Sequence, residues 1–192
     1  MKNKWKWIYN PFEFIAGWKA FGIGILILCV TTVIGYFGSM VFYGIQAKAV
    51  PHITWNMAFS LQFLGLAVTV LIMYITALIF AKHVRFQDIL GTITLAKYPL
   101  LFIAVISLVF GNTLSSVDIN KFISQDFTIF DIAPLLLFGI ISIIFIVWNI
   151  ALLYNAFRVS SNLKGVKCAV LFTAALFLSE IIILVLVYLY SK

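Results

Sequence analysis

The sequence predicts an all-α integral membrane protein, a five-span transmembrane helical bundle with a proline-kinked third helix. Three observations carry that prediction. Of 192 residues, 64% are hydrophobic and 10% charged, with a mean hydropathy of +1.15, whereas a soluble domain carries roughly 25% charged residues. The apolar residues gather into five runs, each close to the roughly 20 residues that cross a bilayer core as a helix. The third run contains Pro99, which has no N–H for the carbonyl of Leu95 and crowds it, so a helix there must bend or break.

Residues 1–19 interleave Lys2, Lys4, Lys6 and Lys19 with Trp5, Trp7, Tyr9, Phe12, Phe14 and Trp18. Amphipathic rings settle at headgroup depth and lysines meet anionic lipid, so this segment reads as an interfacial anchor broken at Pro11. The apolar run that follows is too long for a signal peptide and shows no small-residue cleavage site, so the segment is expected to remain uncleaved. The first span is placed at 20–42; its Gly35 and Ser39 form a small-xxx-small pair suited to close helix approach. The second is placed at 58–81, with Gln62 near its start. The third is placed at 89–110, in competition with a short interfacial helix over 86–97 whose start Asp88 would cap. Residues 86–97 also have the apolar spacing of an interfacial helix, but the apolar stretch after Pro99 is too short to cross alone, which favours one kinked crossing. The fourth span is placed at 132–154, capped by Asp131, with Pro134 tolerated in the first turn. The fifth, at 169–190, follows a loop turned by Asn162 and Gly165. Residues 1–192 read as a single domain.

Five crossings put the chain ends on opposite sides. With the N-terminus inside, Lys2, Lys4, Lys6, Lys19, Lys82, Arg85, Lys97, Arg158, Lys164 and Lys167 gather there, against Lys48, Lys121 and Lys192 outside. The positive-inside bias therefore predicts a cytoplasmic N-terminus and an external C-terminus, in a bacterial inner membrane. Asp118, Asp126 and Asp131 fall outside. A net charge of +7 reads as orientation signal and contact with anionic headgroups, not as a nucleic-acid surface. Cys29 and Cys168 fall at different depths and do not suggest a disulfide; Cys168 reads as an inert apolar residue or as an acylation site.

Glu180 stands out because it lies halfway along the fifth span, where an unpaired carboxylate costs several kcal/mol. Thr31, Thr32, Thr69 and Ser142 are expected at similar depth. Two readings stand: a protonated Glu180 donating to one of these hydroxyls as an interhelical clasp, or a proton or cation site. Lys97 lies toward the inner end of span three and is expected to snorkel to the headgroups. Pairing it with Glu180 would bridge about 10 Å of depth at the usual helical rise. Asn149 is placed to meet the carbonyl freed by Pro99.

Enzymatic signatures are missing. His52 and His83 fall on opposite faces, with no HExxH spacing, no G-x-S-x-G elbow, no glycine-rich phosphate loop and no pair of intramembrane aspartates. No cofactor or metal is expected.

The NPF at Asn10–Phe12, the run 88–101 with its Tyr98-Pro99 bend, and Trp148 followed by AFRVSSNLKGVKCAV resemble the Yip1-domain family, in particular its small prokaryotic members. The likeness covers nearly the whole chain. It implies a polytopic, non-enzymatic membrane protein acting as scaffold, organiser or trafficking-like factor, with membrane-protein partners or self-association. Eukaryotic members associate with prenylated small GTPases through a long N-terminal region that is here about 19 residues, counted to the first span boundary. The alternative is a small permease or channel lined by Glu180 and the mid-depth hydroxyls.

Overall fold

A computed structural model describes residues 9–81, 83–115 and 129–190. Lys2, Lys4, Trp5, Lys6, Trp7, Lys82, Asp118, Lys121, Asp126, Lys192 and the side chain of Asp131 lie outside the described residues, so the expectations placed on them have no structural counterpart. Among the described residues five stretches are long and apolar enough to cross a membrane: Gly17–Phe37, Trp55–Phe80, Phe86–Gly111, Ala133–Ser161 and Gly165–Tyr190. The chain is a multi-pass membrane protein. Large apolar side chains such as Leu26, Ile79, Val109, Ile144 and Phe177 point outward, as lipid-facing surfaces require.

After a 3-10 turn at Pro11–Glu13, helix α1 runs over Gly17–Phe37. The expected first span extended to residue 42, but Gly38 and Ser39 turn the chain back, Ser39 at a φ of +53°. Met40–Tyr43 then forms strand β1, paired antiparallel with β2, Gln46–Ala49. The bundle is therefore not all-α. At about 3.3 Å per residue, four strand residues carry the turn back by about 13 Å, into the space between helices. The strand alternates faces: Met40 and Phe42 pack with Leu100, Ile103, Ala104 and Phe138, and Val41 and Tyr43 with Leu61 and Ile183. All four are buried, so both faces of the strand are core.

Helix α2, Trp55–Phe80, is capped by the Thr54 hydroxyl, which accepts from the Met57 N–H at 3.3 Å. At its other end Lys167 Nζ donates to the Phe80 carbonyl at 3.4 Å. The third crossing is two helices, α3 at Phe86–Ala96 and α4 at Pro99–Ser115. Asp88 is not the cap of α3: Arg85 holds that position without a side-chain bond, and Asp88 sits in the first turn. Its carbonyl accepts from Thr92 at 2.7 Å and from Ser160 at 3.2 Å, tying α3 to the fourth crossing.

Helix α5, Ile129–Ser161, begins earlier than expected, so Pro134 lies inside it rather than in its first turn. It also runs on to Ser161, placing Arg158 in its last turn rather than in a loop, where a cation meets the negative end of the helix dipole. Helix α6 covers Gly165–Tyr190, so Cys168 is in its first turn and buried. Phe12 is 1% exposed in the main core. With Asn155 donating to the Tyr9 carbonyl at 2.8 Å, it docks the N-terminal segment on α5.

Glycine lets α1 and α3 meet backbone to backbone. A Cβ on Gly24 would stand 2.6 Å from the Leu95 nitrogen, and one on Gly91 would collide with the Gly17 carbonyl. Gly35, expected to face another helix, faces the Phe42 ring of the hairpin instead. Overpacking of this kind costs about 1–3 kcal/mol, so Gly24→Leu is expected to lower the thermal midpoint in detergent by several degrees, while Gly22→Leu, which meets open space, leaves it unchanged.

Candidate functional site

The hairpin turn is Tyr43-Gly44-Ile45-Gln46, a two-residue loop closed by the Tyr43–Gln46 pair. Gly44 has a φ of +57° and Ile45 does not share the left-handed region, the glycine-first arrangement of a type II′ turn. Such a turn leaves one peptide unpaired by the ladder, the central one, made of the Gly44 carbonyl and the Ile45 N–H. In water that group is solvated. At mid-depth in a membrane bundle it must be satisfied by protein.

Two charged side chains satisfy it, from opposite ends. Lys97 Nζ donates to the Gly44 carbonyl at 2.7 Å, and Glu180 Oε1 accepts from the Ile45 N–H at 3.0 Å. The peptide dipole thus lies between a cation and an anion with its negative end on the lysine and its positive end on the carboxylate. The second carboxylate oxygen accepts from Gln46 Nε2 at 3.2 Å. Hydrogen bonds to charged groups contribute about 1.5–3 kcal/mol each, and the pair is electrically neutral as a unit. Together these offset the cost that either charge would carry alone at this depth.

Three elements deliver these groups at mid-length. Glu180 is the sixteenth of 26 residues in its span, Lys97 the twelfth of 26 and Gly65 the eleventh of 26. Gly65 of α2 makes room for the turn: a Cβ there would collide with the Gly44 nitrogen, and a Cβ on Gly44 would collide with the Glu180 carboxylate. Lys97 occupies the two-residue interruption between α3 and α4. There the backbone tightens to i→i−3 bonds, Tyr98 N–H to the Leu95 carbonyl at 3.2 Å and Leu100 N–H to the Lys97 carbonyl at 3.0 Å. The carbonyl left over is that of Ala96, and Asn149 Nδ2 donates to it at 2.9 Å. The sequence expectation had Asn149 meeting the Leu95 carbonyl; the tightened turn supplies Leu95 with Tyr98 instead. The ring of Tyr98 meets Trp148 edge to face at 5.2 Å, fixing the interruption against α5.

Lys97 does not snorkel. It is 1% exposed, and it meets Glu180 through a peptide bond rather than directly. By place in their spans the two residues are offset by four positions, about 6 Å at the helical rise, and the turn peptide bridges that offset. The expected hydroxyl partners of Glu180 are engaged elsewhere. Thr31, Thr32 and Thr69 each donate to the carbonyl four residues back, at 2.8, 2.9 and 2.7 Å. Ser142 is buried on α5, and none of the four is among the partners of Glu180. Gly44, Gln46 and Gly65 were not anticipated; a β-rich run ending in glycine, MVFYG, is the one signal that pointed to them.

Beside the turn lies a cavity of about 480 Å³, lined by Ile45 and Gln46 of the hairpin, Ile150 of α5, and Phe172, Leu176 and Glu180 of α6 among others. It exists because α6 packs mainly on α2 and only lightly on α5. Among the described residues no group of three or more His, Cys, Asp or Glu is placed to hold a metal ion.

Removing either charge strands the other. Lys97→Met and Glu180→Leu are each expected to cost about 3–5 kcal/mol, and the double substitution less than the sum, measured by unfolding in mixed micelles. Strictly additive losses would show that the two charges do not act as one unit. Compared with known proteins, the chain matches no family model, no curated protein and no solved structure.

Proposed function

We propose that this chain is a non-enzymatic, multi-pass membrane protein of Yip1-like type that works as a scaffold or organiser through helix and lipid contacts. In this reading the third span is one crossing bent at Lys97–Tyr98–Pro99. The N-terminus is cytoplasmic, the C-terminus outside, and the membrane is a bacterial inner membrane whose anionic headgroups meet the basic end of the bundle.

The observation that carries the reading is the use to which the buried charges of the bundle are put. Proton and ion pathways need ionisable side chains free to change partners. Here Lys97 and Glu180 are both spent on the Gly44–Ile45 peptide, and the mid-depth threonines are spent on their own helices. The residues behind the family likeness also support it: Tyr98 and Trp148 meet ring to ring, and Phe12 of the NPF segment is in the core. The second reading, a small permease or channel, is favoured by one observation, the cavity that touches Glu180.

Flux separates the two. Liposomes containing the purified protein are expected to hold imposed proton and potassium gradients as long as protein-free liposomes do, with Glu180→Gln indistinguishable from wild type. A flux that wild type supports and folded Glu180→Gln loses would overturn the scaffold reading in favour of the permease. The orientation is checked separately: a cysteine at Ser191→Cys is expected to react with an impermeant maleimide on intact spheroplasts, and one at Asn3→Cys only after lysis.

A further inference from the structure

The cavity beside the hairpin turn differs from an ordinary packing gap in what stands at its wall. Its volume of about 480 Å³ falls within the range of small-molecule sites. Its lining is aliphatic and aromatic, and the polar groups that interrupt it are Gln46, Thr173 and Glu180. Phe177 and Ile181 on its rim are 67% and 58% exposed. In a spanning helix those side chains meet hydrocarbon, so the mouth between α5 and α6 opens sideways into the bilayer rather than to water.

The chemistry at the wall selects the occupant. An ionised carboxylate offers about four acceptor directions and no donor. Two are used, by Ile45 N–H and Gln46 Nε2. With its amide nitrogen on Glu180, Gln46 has its carbonyl oxygen as a further acceptor. A ligand reaching this end must therefore bring a donor. It must also be neutral: Lys97 already balances Glu180 through the turn peptide, so a cationic or anionic head would leave one net charge in the middle of the bundle.

We propose that the cavity between α5, α6 and the hairpin tip binds a neutral, membrane-dissolved lipid bearing a hydroxyl group, its hydrocarbon along Phe172 and Leu176 and its O–H donated to Glu180. The site stands independently of the scaffold reading, since a scaffold and a permease could each hold such a lipid.

The experiment uses the full chain in phosphatidylcholine liposomes with a photoactivatable long-chain alcohol, and locates the labelled residues by mass spectrometry. Labelling is expected to concentrate on 172–184 and on Ile45 and Gln46. Excess hexadecanol is expected to suppress it by about tenfold, while equal hexadecane or hexadecanoate leaves it in place. Filling the cavity by Leu176→Trp or, separately, Ile150→Trp is expected to remove the same labels; two variants guard against one failing to fold. Suppression by hexadecane as strong as by hexadecanol would mean that only an acyl chain is recognised and overturns the hydroxyl assignment. Labels spread evenly over the outward faces of α1, α2 and α6, or unchanged in folded cavity-filled variants, overturn the site.

Discussion

One peptide group organises this bundle. The unit joining Gly44 to Ile45 lies at the end of a strand pair pushed into the interior, where neither its carbonyl nor its N–H has a partner in the ladder. A bilayer supplies none. Lys97 and Glu180 close that account from either side, and the two charges become tolerable because the peptide dipole couples them. Neither the hairpin nor the charges would be stable at this depth without the other.

Much of the surrounding architecture follows from accommodating that unit. The third crossing has to stop being a helix where Lys97 reaches the turn, and Pro99 makes the interruption cheap because the first position of a helix does not need an N–H. The interruption orphans the Ala96 carbonyl, which accounts for a buried asparagine on α5. Gly65 clears space on α2. The hairpin splits the interior into a cluster on the α4 and α5 side and another on the α2 and α6 side. With α6 held by its carboxylate to the turn and by its packing to α2, its contact with α5 is slight, and the lateral cavity is the result.

The candidate residues were partly legible. Glu180 and Lys97 are conspicuous in apolar runs, and Pro99 marks a break. Asn149 was placed against the right break but one carbonyl away, since sequence does not say whether a broken helix relaxes or tightens. Their partner was hidden. Residues 40–43 are apolar enough to continue the first span, and a bilayer-length criterion absorbs them into it. A strand buried on both faces shows no alternation of polarity to give it away. Lys97 was read as snorkelling because its distance from Glu180 was measured between helices, and the one hint of a third element between them, the MVFYG run, passes as the end of the first span.

The sequence by itself determined what hydrophobicity and chain chemistry determine locally: a membrane-embedded chain, five apolar stretches of spanning length, a proline within the third of them, and two ionisable residues too deep to stand alone. Tertiary structure decided what those residues are for. Hydrogen-bond satisfaction in a medium without water is settled between segments distant in the chain, 135 positions apart for Ile45 and Glu180. Only the folded chain brings a turn amide, a lysine and a carboxylate to the same depth.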